Sequence, residues 1–146
     1  MGEASIEVRL DRKVKGISEA WVKKVIKKTL ALEKTRAKSV SVFLTGNKKI
    51  RSINKRYLKH DYATDVIAFG MDGSYLGDVV VSTEMAMQMA KELKIDFKEE
   101  LARYLAHGVL HLLGYKDKNR KDSKEMMKRQ ETVVRAIGGN RYVSKN

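Results

Sequence analysis

The sequence predicts an α+β fold in a single domain of residues 1–146, with one mixed sheet of about four strands packed against about five helices. A chain of 146 residues is long enough for one ordinary hydrophobic core. Apolar residues alternate in short segments and recur at helical spacing in longer ones, so strands and helices are interspersed along the chain. Two strand segments are joined by a connection too short for a parallel crossover, which predicts some antiparallel pairing.

The N-terminal half provides two strands and two helices. Alternation at residues 6–10 predicts a half-buried strand, and Ser18 is a suitable N-cap for a helix that runs to Leu32. Residues 39–44 alternate and include β-branched side chains, which predicts a second strand. A short basic helix is predicted at 47–57, with three residues facing the core: Ile50, Ile53 and Tyr57.

The C-terminal half provides two further strands and three helices. The strands are predicted at 66–69 and 76–81, with a glycine-containing connection between them. The helices are predicted at 83–94, 96–113 and 123–137. Their predicted capping residues are Ser82 or Thr83, Asp96 and Ser123 at the starts, and Gly114 and Gly138-Gly139 at the ends of the last two.

The chain is strongly basic. Lys and Arg number 31 against 18 Asp and Glu, a formal net charge of +13. This excess favours a polyanionic partner over a thermophile composition, because thermophile enrichment adds charges of both signs. The absence of cysteine excludes disulfides, thiolate metal clusters and cysteine nucleophiles. No stretch is apolar enough to span a membrane and no secretory pattern is visible, so we expect a cytoplasmic protein.

A metal site is predicted at HGVLHLLGYKD, residues 107–117. His107 and His111 are four residues apart, so both imidazoles project from one face of the predicted helix. Gly114 ends that helix and lets the chain turn back, which brings Asp117 to the same point. Two imidazoles and a carboxylate, with a fourth position for water, are typical of a catalytic zinc site. The alternative is that both histidines are ordinary core residues. It is disfavoured because an imidazole buried without a hydrogen-bond partner would cost about 1–3 kcal/mol.

The motif is similar to the zinc motif of the metzincin metallopeptidases, which implies a metzincin-like core. Those enzymes carry a glutamate directly after the first histidine as general base, whereas this chain has Gly108. Peptidase activity is therefore disfavoured. His60 stands alone in a predicted loop, and we expect it to have a surface role rather than to ligate metal.

The chain resembles more closely the YbeY family of bacterial metal-dependent endoribonucleases and rRNA maturation factors, over roughly residues 40–125. The resemblance is carried by HGVLHLLGY at 107–115, Thr64-Asp65-Val66, Gly77-Asp78-Val79-Val80, the stretch 54–57 and Glu99-Glu100-Leu101. It implies one zinc ion, a single-domain α+β fold, a cytoplasmic location, and action on small-subunit ribosomal RNA during ribosome biogenesis.

Three departures from the family pattern are present: Ala63, Ala68 and Gly70 around the predicted strand at 66–69 form one, and Asp117 and Leu58 are the two that bear on chemistry. The family's third ligand is usually histidine, where this chain has Asp117. A carboxylate lowers the positive charge of the site, so bound water should be less acidic. Leu58 replaces the arginine that usually follows the aromatic residue, and Arg56 and Lys59 are the candidates for RNA phosphate contacts instead.

The first hypothesis is RNA phosphodiester cleavage at a divalent cation held by His107, His111 and Asp117. The predicted catalytic group is a metal-bound water. No side chain is assigned as the general base, and Asp65 is the one candidate for that role. The alternative for Asp65, which we favour, is a turn residue that binds nearby backbone amides. A glutamate beside the metal would repel a phosphodiester, so Gly108→Glu is predicted to depress cleavage while sparing folding.

The second hypothesis is an RNA-binding ribosome-assembly factor with a mainly structural metal site. The departures at Asp117 and Leu58 motivate it. Under either hypothesis the expected partner is RNA, in the form of small-subunit rRNA or pre-ribosomes, and not a membrane. The sequence leaves the oligomeric state open, with a monomer as the default expectation.

Overall fold

The sheet and helices predicted from the sequence are present in the structure, a computed structural model that describes residues 5–35 and 38–138. Its elements, in chain order, are β1 (Ile6–Leu10), α1 (Glu19–Leu32), β2 (Ser39–Thr45), α2 (Asn47–Leu58), β3 (Val66–Gly70), β4 (Tyr75–Ser82), α3 (Thr83–Leu93), α4 (Phe97–Leu112) and α5 (Arg120–Gly138). The α+β class is therefore confirmed, and every element end except the start of α5 lies within one residue of its prediction.

The four strands form one mixed sheet in the order β1-β2-β4-β3. β1, β2 and β4 are parallel, and β3 is antiparallel to β4. The antiparallel pair follows from the short β3–β4 connection, which has room for a hairpin turn but not for a crossover. Because β3 stands last in the strand order, it is an edge strand, and the candidate site lies beside it.

Helices cover the two faces of the sheet unequally. One face packs on α1 and α4 through the main core, to which the strands contribute Val40, Val42, Leu44, Val79 and Val81. The other face packs on α2 through a smaller cluster that includes Ile50, Ile67 and Val80. α3 and α5 pack against α4, which is therefore enclosed between the sheet and other helices. Among the described helices, none combines the length and apolarity that crossing a bilayer requires.

The start of α5 differs from the prediction. The helix begins at Arg120, not near Ser123, because the side chain of Asn119 accepts a hydrogen bond from the Asp122 amide at 2.8 Å. The Ser123 amide already donates to the Asn119 carbonyl at 2.9 Å, inside the first turn. At the other end Gly138 is part of the helix, and Gly139 lies outside the described residues.

Tyr57 also differs from the prediction that it faces the core. The side chain is 60% exposed, and its ring packs edge-to-face on Phe69 of β3 with centroids 5.8 Å apart. Because β3 is the edge of the sheet, a ring resting on it keeps one side open to solvent. Ile50 is fully buried and Ile53 partly buried, as predicted.

Gly108 allows α4 to approach the sheet closely. A Cβ atom at this position would lie 2.5 Å from Val79 Cγ1 and 3.1 Å from Val66 Cγ2. Any side chain at 108 would therefore point into the packed contact between α4 and the sheet. The prediction that Gly108→Glu spares folding is wrong, because the carboxylate would be both overpacked and buried without a partner.

Candidate metal centre

The last turns of α4 place two histidines side by side. The rings of His107 and His111 are 4.6 Å apart between centroids and inclined by 82°. Their Nε2 atoms are 3.1 Å apart, and both side chains are partly buried. The i, i+4 spacing thus puts both imidazoles on one face of the helix, at the end where it meets solvent.

A glycine-terminated helix end brings the third predicted ligand to the same point. Gly114 has φ +104°, and its amide donates to the His111 carbonyl at 3.0 Å. The Tyr115 amide donates to the Leu110 carbonyl at 3.1 Å, which completes a Schellman motif. The chain reverses here, and an Asp117 carboxylate oxygen comes to lie 3.6 Å from His111 Nε2.

Gln130 of α5 fixes the tautomer of His107. Its Nε2 donates to the Glu131 carboxylate at 3.1 Å, so its Oε1 must be the amide atom that faces the imidazole. That oxygen is 2.8 Å from His107 Nδ1. Because an amide oxygen only accepts, Nδ1 carries the ring proton and Nε2 keeps a lone pair.

The tautomer of His111 is fixed by the backbone. Its Nδ1 is 3.1 Å from the Tyr115 carbonyl oxygen, which only accepts, so the proton again lies on Nδ1. The two Nε2 lone pairs therefore face each other across 3.1 Å. Two facing acceptors repel, and either a shared proton or a metal cation bound to both nitrogens removes the repulsion.

The separations of the donor atoms suit a small tetrahedral cation. The three ligand atoms of His107, His111 and Asp117 all lie within 4.8 Å of one another. Ligands about 2.0–2.1 Å from a tetrahedral ion lie about 3.3 Å apart. Two of the three separations, 3.1 and 3.6 Å, fall on either side of that value. The residues present therefore fit a divalent metal ion, and these three could hold it.

An ion network supports Gln130 from the side away from the histidines. Arg103 donates to both carboxylate oxygens of Glu131, at 2.7 and 2.8 Å, and also binds Glu99 at 2.9 Å and Glu100 at 2.6 Å. The hydrogen bonds to Glu131 are the main cause that raises the pKa of Arg103. Burial raises the pKa of Glu131, but hydrogen bonds from Arg103 and Gln130 outweigh it and hold that pKa below its ordinary value. Both groups stay charged at neutral pH.

The loop that carries Asp117 is attached to α1. The Tyr115 hydroxyl donates to Glu33 at 2.6 Å, and this hydrogen bond raises the pKa of Tyr115. The other oxygen of Glu33 is 3.7 Å from Nε of Arg129. The backbone carbonyl that orients His111 therefore belongs to a residue held at both its main chain and its side chain.

A cleft of about 480 Å³ opens beside His111, and its volume is within the range of small-ligand sites. His111, Tyr115 and Lys116 line one side. Residues of β3 and of the segment after α2 line the other. Lys116 was not singled out by the sequence analysis, although its position next to a predicted ligand was a usable signal.

The contacts of Asp65 are those of a turn residue. Its carboxylate accepts hydrogen bonds from the Val66 amide at 2.7 Å and the Thr64 hydroxyl at 3.3 Å. This is the arrangement favoured from the sequence. The role of Asp65 as a general base stays a prediction.

Neither of the predicted RNA-binding residues lines this cleft. Arg56 lines a larger cavity on the α2 face of the sheet, together with Lys23, and its guanidinium is 5.5 Å from the Tyr57 ring centroid. Lys59 is the exposed, left-handed C-cap of α2. Contacts of Arg56 and Lys59 with RNA stay predictions.

Comparisons with known proteins show what the chain is similar to. A family model described as Endoribonuclease YbeY matches residues 6–138. The chain is 38% identical over 104 residues to an endoribonuclease YbeY of Anaeromyxobacter sp. (strain Fw109-5), covering 68% of this chain but only 54%, about half, of that relative. It is 39% identical over 110 residues to an endoribonuclease YbeY of Carboxydothermus hydrogenoformans, covering 73% of this chain and 77% of the relative.

A solved structure has the same fold. The solution structure of a Thermotoga maritima protein matches with a TM-score of 0.67 and 26% sequence identity, covering 92% of this chain and 90% of that one. A third relative, an endoribonuclease YbeY of Sulfurihydrogenibium sp. (strain YO3AOP1), is 36% identical over 126 residues, which is 82% of this chain and 83% of the relative. The similarity therefore extends over most of the sheet and helices and is not confined to the histidine motif.

Proposed function

The chain belongs to the endoribonuclease YbeY family, and from this premise we propose that it is a metal-dependent endoribonuclease, a hydrolase of RNA phosphodiester bonds. The observation that carries the proposal is the placement of the donor atoms: the Nε2 atoms of His107 and His111 lie 3.1 Å apart, and an Asp117 carboxylate oxygen lies 3.6 Å from His111 Nε2. Family membership supports the reaction class, and this donor set supports its dependence on a metal.

We propose one zinc ion as the cofactor. Two imidazole nitrogens and a carboxylate oxygen form a donor set typical of catalytic zinc. When bound there, zinc supplies Lewis-acid polarisation of a phosphoryl oxygen and lowers the pKa of water.

The other residues of the site orient the two imidazoles and bind the RNA. Gln130 and the Tyr115 carbonyl keep both imidazoles in the tautomer that presents Nε2 to the cation. Lys116 places a positive charge in the cleft, where it would attract a phosphate group. We propose that Arg56 and Lys59 contact the RNA backbone outside the cleft, which a long polyanion permits.

The proposed biological role is maturation of small-subunit ribosomal RNA in the cytoplasm, by a monomer with a single domain. The family resemblance and the net charge of +13 support an RNA partner.

Cleavage of a labelled single-stranded RNA tests the proposal. The arms are wild type, His107→Ala and Asp117→Ala, each with zinc and with excess chelator. Asp72→Ala is the matched control, because Asp72 is an exposed aspartate in the β3–β4 connection. We expect cleavage by wild type and by Asp72→Ala with zinc, and its loss in every other arm.

Equal rates in all arms would remove the metal from the mechanism. Intact RNA after long incubation with fully zinc-loaded wild type would contradict the nuclease proposal. That result would favour the ribosome-assembly factor, whose RNA binding should fall steeply with salt.

A further inference from the structure

The segment after α2 presents two aromatic rings at the cleft. The rings of His60 and Tyr62 are 9° from parallel with centroids 5.5 Å apart, and the Tyr62 hydroxyl is 3.3 Å from His60 Nδ1. Both side chains are exposed, Tyr62 by 55%. Both line the cleft that His111 also lines. Metal binding gives no reason for an exposed stacked pair at this position.

A buried asparagine holds this pair in place. Asn54 is only 2% exposed, and its side chain donates to the Tyr62 backbone carbonyl at 3.0 Å. The backbone carbonyl of Asn54 accepts from the His60 amide at 3.3 Å. Asp61, which lies between these two residues in the sequence, is bound by Arg51 at 2.8 Å, and this ion pair ties the segment to α2. The segment therefore has its shape before any ligand binds, which lowers the entropic cost of binding.

The surroundings of the pair suit a nucleotide. Among the described residues that line the cleft, Lys116 carries the one permanent charge, and it is positive. Leu58, 42% exposed, adds apolar surface on the side of the rings. A flat aromatic and apolar wall in the same cleft as a lysine matches a ligand that has a planar base and a phosphate.

We propose that His60 and Tyr62 form a stacking platform for one unpaired nucleobase of the RNA bound in the cleft. Every base has a π-face, so such a platform binds without regard to sequence. A base inside a duplex is already stacked on both sides, so the platform selects single-stranded or splayed-out RNA. This inference rests on the proposed function and adds the two residues that would hold one base of the RNA.

The test measures affinity, by fluorescence anisotropy of labelled single-stranded RNA of about ten nucleotides, with the whole chain and excess chelator. The proteins are wild type, Tyr62→Leu and Tyr62→Phe. Each is titrated with intact RNA, with RNAs carrying one abasic nucleotide at successive positions, and with a duplex of the same sequence. Tyr57→Leu is the matched control, because Tyr57 is an exposed tyrosine that lines the other cavity.

We expect Tyr62→Leu to bind intact single-stranded RNA roughly 5- to 150-fold more weakly, and Tyr62→Phe to lose much less. An abasic nucleotide at one position should weaken wild-type binding by a similar factor but leave Tyr62→Leu nearly unchanged, because the two changes remove the same contact. Tyr57→Leu should keep the abasic effect, and the duplex should bind wild type and Tyr62→Leu alike.

Three results would overturn the platform: equal affinity of Tyr62→Leu and wild type, an abasic effect that survives in Tyr62→Leu, or no abasic-sensitive position in wild type. If Tyr62→Leu does not fold, His60→Leu takes its place in the same comparison. Failure of the proposed function is separable, because a Tyr62-dependent abasic effect without any zinc-dependent cleavage would overturn the nuclease and keep the platform.

Discussion

Gln130 controls the chemistry of a neighbouring side chain without touching the cation position itself. It is 6% exposed, and its amide is held in one orientation by Glu131 on one side and His107 on the other. As a neutral acceptor it keeps the proton on His107 Nδ1 and adds no charge to the site. This is the role that partners of ligating histidines commonly have in metal proteins.

Gln130→Leu tests this role. The leucine removes the acceptor while keeping a buried side chain, so His107 is free to change tautomer or rotate. We expect zinc affinity to fall by about 10- to 100-fold. Competition with a chelating dye measures it, and Gln88→Leu, at an exposed glutamine of α3, is the matched control. Unchanged affinity in a folded Gln130→Leu protein would show that Gln130 does not orient His107.

At the scale of elements, the contact between α4 and α5 depends on charges in a partly buried position. The Arg103 side chain is 20% exposed and forms a two-pronged pair with Glu131 from the other helix. The same pair holds Gln130, so the geometry of the candidate metal centre depends on how these two helices pack. The pKa of Glu131 is lowered in the folded chain, where hydrogen bonds from Arg103 and Gln130 outweigh the effect of burial.

The stability of Glu131→Gln relative to wild type should therefore depend on pH. A lowered pKa means that the carboxylate stabilises the fold fully above its ordinary pKa of 4.5 and loses this effect as pH falls through the folded value. At neutral pH we expect the variant to lose about 1.5–3 kcal/mol of unfolding free energy. Urea unfolding at pH about 7 and about 3.5 measures both differences.

The difference in unfolding free energy between wild type and Glu131→Gln should be smaller at the lower pH. Glu125→Gln, at an exposed glutamate of the same helix, should cost at most about 1 kcal/mol at either pH, as is usual for a surface ion pair. A pH-independent loss in Glu131→Gln would mean that its charge is not what joins the helices.

At the scale of the whole molecule, α4 connects the core to the site. Its C-terminal part packs against the sheet at Gly108 and also carries both histidines. A cation bound there would join α4 to the loop that carries Asp117. Through Gln130 and Tyr115 it would also be coupled to α5 and α1.

Zinc should accordingly stabilise the entire fold. At a free zinc concentration of about 100 times Kd, binding adds about 2.7 kcal/mol, which corresponds to a rise in Tm of roughly 5–15 °C. Calorimetry of the metal-free protein with and without zinc measures the shift. Elemental analysis of protein purified without chelator should find one zinc per chain. His111→Ala should show neither the Tm shift nor the bound zinc. A Tm shift in this variant equal to that of wild type would place the zinc elsewhere.

The accuracy of the sequence-based predictions depended on how local each signal was. The strand at Ile6–Leu10 and the helix that ends before Gly114 are encoded by periodicity and by one conformationally special residue, and both are present. The start of α5 was placed too late, because Asn119 and Ser123 are both acceptable caps and the sequence offers no way to rank them. Tyr57 was placed in the core, because a pattern does not reveal where a sheet ends.

The sequence by itself determined the α+β class, the two histidines on one helical face, and the turn that returns Asp117 to them, since each follows from spacings within about ten residues. Tertiary structure alone decided that Gln130, 23 residues from His107, sets its tautomer, that Gly108 is a packing requirement, and that His60 and Tyr62 share a cleft with His111. These relations join side chains from different elements, and their distances are set by how helices and sheet pack.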